Sequence, residues 1–188
     1  MRRLPTVYFN PEDYNHLPEN YQPPQDGSAG FRNGIDALLA ELPTRNLPKG
    51  LIPKRGLHVQ PPRFHYGWTF SLRELFETAT QCGFAVLKDR PLPPGATTNL
   101  KNFAGFATRL EFAKTVREKL QISSCVPNFV YVYSERIFCI SLTNNYRRGN
   151  IPPPAADVEA IQSFLGMEEP PAWFLDVDIG REWDVGRF

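Results

Sequence analysis

Leu72, Leu75, Phe76, Ala79 and Cys82 recur at three- and four-residue spacing, which puts them on one face of a helix over about 72–82. Ser71 stands three residues before Glu74, the spacing of a capping box, where each side chain satisfies the other's free backbone N–H. Gly83 follows, where a left-handed backbone ends a helix at no steric cost. A second stripe, Phe103, Phe106, Ala107, Leu110, Ala113 and Leu120, predicts a longer helix over about 100–121, capped by Asn99 or Asn102. Val158, Ile161 and Leu165 predict a helix over about 155–165, stopped by Gly166. Ile35, Leu38, Leu39 and Leu42 predict a short one over about 33–42, ended by Pro43.

Other apolar runs carry no helical spacing and are rich in β-branched and aromatic residues. Phe84–Leu87, Phe129–Tyr133, Ile137–Leu142 and Trp173–Val177 are predicted as strands. Ser134-Glu135-Arg136 is short enough to join the middle two as a hairpin. Residues 43–70 are Pro/Gly-rich and basic, with one short strand predicted near Leu57-His58-Val59. From Phe84 onward the order is strand, helix, strand, strand, helix, strand. It resembles the split βαβ order of ferredoxin-like sandwiches. The expectation is therefore an α+β fold: a small antiparallel sheet with helices on one face, βαββαβ from about residue 84, preceded by a helical and Pro-rich extension. A resemblance in element order implies no activity.

Proline changes the picture at the N-terminus. The chain has 19 prolines in 188 residues, about twice the usual share. Pro43, Pro91, Pro127 and Pro152 bracket patterned elements, whereas Pro5, Pro11, Pro18, Pro23 and Pro24 fall in a stretch that also carries Tyr8, Phe9, Tyr14 and Tyr21. Proline fixes φ and removes donors, so that stretch is expected to be extended. Its rings argue against a purely solvated tail. The expected organisation is an extended arm over 1–30 and a single α+β domain over 31–188.

Composition excludes several classes. Hydrophobic residues at 41%, charged residues at 22% and a mean hydropathy of −0.37 fit a chain with a core. The longest apolar run, Phe129–Tyr133, is far short of the roughly 20 residues of a bilayer crossing. No apolar stretch of secretory type follows Arg2 and Arg3. Three widely spaced cysteines, Cys82, Cys125 and Cys139, make neither a disulfide framework nor a zinc knuckle. The expected setting is reducing and intracellular, cytoplasmic or nuclear. Net charge is +1, but residues 101–148 carry +5 and residues 149–188 carry −6, so a basic face and an acidic one can neutralise each other.

No familiar catalytic spacing emerges: there is no phosphate-cradling Gly-rich loop, no Gly-x-Ser-x-Gly and no His-Glu-x-x-His. Cys82 and Cys139 lie on predicted apolar faces and read as small hydrophobes, leaving Cys125 the thiol least committed to a core. His58 and His65 sit among arginines and lysines that oppose a cation, so they read as structural or surface groups. The alternating carboxylates Asp176, Asp178, Glu182 and Asp184 miss the spacing of a calcium loop. Neither a metal nor a cofactor is expected.

The reading these features favour is a non-enzymatic protein-interaction or regulatory module that engages a protein partner through its arm, with Tyr8, Tyr14 and Tyr21 as anchors. An alternative is a domain for RNA, single-stranded DNA or another anion. There Tyr131, Tyr133 and Phe138 would stack bases, and Lys54, Arg55, Arg136, Arg147 and Arg148 would meet phosphates. Residues 129–142 lack the glycine pattern of the RNA-recognition consensus. A third reading, a small enzyme without a motif, requires a pocket on which a carboxylate, His58, His65 or Cys125 converge.

Overall fold

The computed structural model describes residues 41–53, 61–88, 99–147 and 152–177, together with Asn15 and Leu39. Among the described residues from 41 onward, four strands and three α-helices follow one another: β1 (Phe64–Phe70), α1 (Leu72–Gln81), α2 (Gly105–Glu118), β2 (Asn128–Tyr131), β3 (Phe138–Asn144), α3 (Ala155–Leu165) and β4 (Ala172–Leu175). All pairings are antiparallel, and the sheet order is β2-β3-β1-β4. The fold is α+β, as expected. The arm, the strand near Leu57 and most of the 33–42 helix lie outside the described residues.

One strand is not where the pattern put it. Phe84–Leu87 does not join the sheet; Leu87 makes a lone bridge to Phe103, and Phe84 is fully buried in the core. The first strand of the sheet is instead Phe64–Phe70, central between β3 and β4. Its alternation is complete: Phe64, Tyr66, Trp68 and Phe70 point one way, and His65, Gly67 and Thr69 the other. The count from residue 84 fails for this reason, and the connection from β1 to β2 carries two α-helices, α1 and α2.

The helices share one face of the sheet. Trp68, Phe70, Ile140 and Leu142 pack there with Leu75 and Ala79 of α1, Phe112 and Val116 of α2, and Val158, Ile161 and Leu165 of α3. Helix α1 begins as its sequence dictates: the Glu74 N–H donates to Ser71 Oγ at 3.2 Å, and the Ser71 N–H donates to Glu74 Oε2 at 2.7 Å. These bonds, helped by Arg136, hold the Glu74 carboxyl below its ordinary range. Gly83 and Gly166 take φ of +75° and +66° after α1 and α3. Helix α2 is rotated from expectation. It has no side-chain cap, and it buries Thr108, Phe112, Thr115 and Val116, leaving Phe106 and Leu110 in solvent. Cys125 is also buried in this core, contrary to its expected freedom, and burial pushes its thiol pKa up.

The sheet curls until its edges meet. In a flat four-stranded sheet β2 and β4 would lie about 14 Å apart. Here the Tyr133 N–H donates to the Leu175 carbonyl at 2.8 Å, and the Val177 N–H donates to the Tyr131 carbonyl at 3.3 Å. Val132 of the β2 continuation, Cys139 of β3 and Phe174 of β4 form one buried cluster on the face away from the helices, which is thus the inside of the curl. A bulge in the β1–β3 pairing between Tyr66 and Gly67 assists the bend. Gly67 is required there, because a Cβ would sit 1.9 Å from the Ile140 carbonyl oxygen.

Candidate functional site

Two features stand out, one in the curl and one on the helix side. Inside the curl, register brings three polar side chains together. Gly67 pairs with Ser141, so His65 and Ser141 share the inner face. The Asp176 N–H donates to the Arg63 carbonyl at 3.0 Å, extending the β1–β4 pairing by one residue and setting Asp176 diagonally beside His65. His65 Nδ1 lies 3.1 Å from Ser141 Oγ, and His65 Nε2 lies 2.9 Å from Asp176 Oδ2. Ser141 Oγ also donates to the Thr143 carbonyl at 2.9 Å. His65 and Ser141 are each 4% exposed. Polar groups this deep need partners, and this chain of bonds supplies them.

His65 and Ser141 border a cavity of about 200 Å³ lined also by Asn128, Thr143, Asn144 and Arg147. Asn128 Oδ1 accepts from Arg109 Nη1 at 3.0 Å, which fixes the amide and leaves its NH₂ group as a donor. Of the groups that the enzyme reading asked to find on a pocket, His65 lines this cavity, while Asp176 meets it only through His65 Nε2. Ser141 was missed because nothing in Ile140-Ser141-Leu142 marks it; only the β1–β3 register does.

The second feature is an apolar groove of about 190 Å³ between α1, α2 and the β2–β3 end of the sheet. It is lined by Leu72, Leu75, Phe103, Phe106, Phe129, Tyr131 and Phe138. Phe106 is 69% and Tyr131 55% exposed. The Tyr131 and Phe138 rings meet at 5.0 Å. The Arg109 guanidinium lies 4.6 Å over the Phe106 ring, a cation–π contact that places a positive charge in the groove wall.

The structure scatters the residues singled out by the sequence. Tyr131 is in the groove. Tyr133 is half-buried against the Leu51, Phe64, Trp173 and Leu175 cluster. Arg136 is exposed and pairs with Glu74 at 3.2 Å. Arg147 is at the cavity by Ser141 and His65. Tyr8, Tyr14, Tyr21, Lys54, Arg55, Arg148 and His58 lie outside the described residues. Phe106 and Arg109 were missed as site residues because helical spacing assigned Phe106 to the core. Among the described residues, no three His, Cys, Asp or Glu side chains gather as a metal site, and no helix is long and apolar enough to cross a membrane. Compared with protein-family models, with curated proteins and with solved structures, the chain matches none.

Proposed function

We propose that the protein is an interaction module whose aromatic groove receives a short peptide with apolar anchors and a carboxylate. The observation that carries this reading is Phe106: a large ring left in solvent, lining with Tyr131 a cleft of six further apolar residues. Contiguous exposed apolar surface of this kind marks binding sites. Charge complementarity selects the occupant. Arg109 stands in the wall, fixed between Phe106 and Asn128, so an acidic group on the peptide has a preorganised partner. The 1–30 segment, with Tyr8, Tyr14 and Tyr21, belongs to the same reading as a second, extended contact with the partner. An intracellular setting fits the three free thiols. Nucleic acid is the weaker occupant, since Arg136 is engaged by Glu74.

Selection of a random displayed-peptide library on the full chain tests the reading. Enrichment of peptides that combine aromatic and acidic residues, with binding lost in F106A and R109E, supports it. Failure to enrich any such sequence, or peptides that bind F106A unchanged, overturns it.

A further inference from the structure

We propose that Ser141, His65 and Asp176 are a catalytic triad that hydrolyses a small carboxylic ester carrying a negative charge. The proposal is independent of the groove and concerns the opposite face of the sheet. A serine hydroxyl is a poor nucleophile until an adjacent base can take its proton, and that base must be held in one tautomer by a third group. All three relations are present. A neutral His65 that donates its Nε2–H to Asp176 Oδ2, 2.9 Å away, has Nδ1 as its unprotonated nitrogen. Nδ1 stands 3.1 Å from Ser141 Oγ. The Ser141 hydroxyl donates to the Thr143 carbonyl, and a rotation about Cβ–Oγ turns the same O–H onto an unprotonated Nδ1 without moving a heavy atom. The two ring nitrogens exchange the roles described for the common triad, in which Nε2 faces the serine and Nδ1 the carboxylate.

The surroundings suit the reaction. Burial of His65 and Ser141 lowers the local dielectric and strengthens each electrostatic contact between them. The cavity gives Ser141 the open space that a merely structural hydroxyl does not need. Asn128 is directly opposite Ser141 in the β2–β3 register and lines the same cavity, so its NH₂ group is the donor assigned to an oxyanion forming there. Arg147, exposed at the same cavity, selects a substrate with a carboxylate or similar anion.

The chemistry balances with water as co-reactant. Ser141 Oγ attacks the ester carbonyl carbon, and its proton passes to His65 Nδ1. The tetrahedral oxyanion collapses, the bond to the alcohol oxygen breaks, and that oxygen takes the proton from Nδ1. Water then attacks the acyl-serine, giving its proton to Nδ1 and thence to Ser141 Oγ as the carboxylic acid leaves. No electrons are transferred overall.

The test uses the full chain, an ethyl fluorophosphonate probe, and 4-nitrophenyl acetate beside its hemisuccinate analogue. Serine attack on phosphorus expels fluoride and leaves a phosphonyl group that peptide mass spectrometry locates. The expected result is one label on Ser141, abolished in S141A and H65Q. Ester turnover should fall about 10⁴-fold in D176N, and the preference for the hemisuccinate should be lost in R147A. S141C keeps the approximate shape of the serine and guards against a folding defect; circular dichroism should show it folded, and mass spectrometry should find no phosphonyl group at position 141. An unlabelled wild-type protein, a label on another residue, or full ester turnover in S141A would each overturn the proposal.

Discussion

The amide oxygen of Asn145 accepts the main-chain N–H of Phe64 at 2.8 Å, across 81 residues of sequence. The same side chain donates to the carbonyls of Leu51 at 2.8 Å and Pro62 at 2.9 Å. Asn145 is fully buried, so these three bonds anchor the start of β1 beside the end of β3. They fix the register from which His65 and Ser141 take their positions. N145A strands three buried backbone groups. Each unsatisfied group costs about 1–3 kcal/mol, and partial relaxation should leave a net loss of about 3 kcal/mol. Urea denaturation measures it; a loss below about 1 kcal/mol would show that water replaces the amide.

Gly67 sets a second expectation. G67A puts a methyl group against the Ile140 carbonyl, so the β1–β3 pairing must separate at the bulge. The substitution should destabilise by more than the 1–3 kcal/mol typical of an overpacked core, because the obstacle is backbone. It should also separate His65 from Ser141. Thermal melting and the loss of Ser141 labelling together check this.

The capping box gives a third. S71A should cost about 1 kcal/mol, since Ser71 supplies the acceptor for the Glu74 N–H. Glu74 adds a pH dependence. Its carboxyl is held below its ordinary range in the folded chain, so its contribution is complete above the unfolded value and disappears as pH falls through the folded one. Acid titration of the melting temperature should be flatter in E74Q than in the wild type.

At alkaline pH the cysteines act. Burial raises the thiols of Cys82, Cys125 and Cys139. The unfolded chain then ionises first, so stability holds below the ordinary thiol range and falls as pH climbs beyond it. Iodoacetamide at pH 7 should leave Cys125 and Cys139 unmodified in the native protein and modify all three in urea. Rapid alkylation of native Cys139 would contradict its burial.

F112A probes the helix-side core. The Phe112 ring is fully buried against Phe84 at 4.7 Å and Phe129 at 6.1 Å. Its removal should cost about 3–5 kcal/mol. F106A, six residues earlier on the same helix, should cost under about 0.5 kcal/mol because its ring already lies in solvent.

The contrast between these two phenylalanines shows where sequence stops informing structure. Local rules were legible. Ser71 and Glu74 announced α1, Gly83 and Gly166 ended helices, and Val158, Ile161 and Leu165 faced inward as their spacing required. Helix α2 was visible as a helix but not in its rotation, since Phe106, Leu110, Phe112 and Val116 offer two apolar stripes and only the sheet decides between them. The alternation Phe64-His65-Tyr66-Gly67-Trp68-Thr69-Phe70 was plain in the letters, yet the prolines and arginines before it masked it. Ser141, His65 and Asp176 come together through pairing register and the curl of the sheet, which no local spacing encodes.

The contact between Tyr133 and Leu175 has a consequence for the fate of the chain. An open sheet leaves rows of unsatisfied peptide groups that template foreign strands. Here β4 spends its outer groups on Thr44 and on residues 131–133. A proline at position 133 would remove the donor that closes this zip. The edges of β2 and β4 would then face the medium with unpaired peptide groups, and the variant should form fibrils more readily than the parent chain.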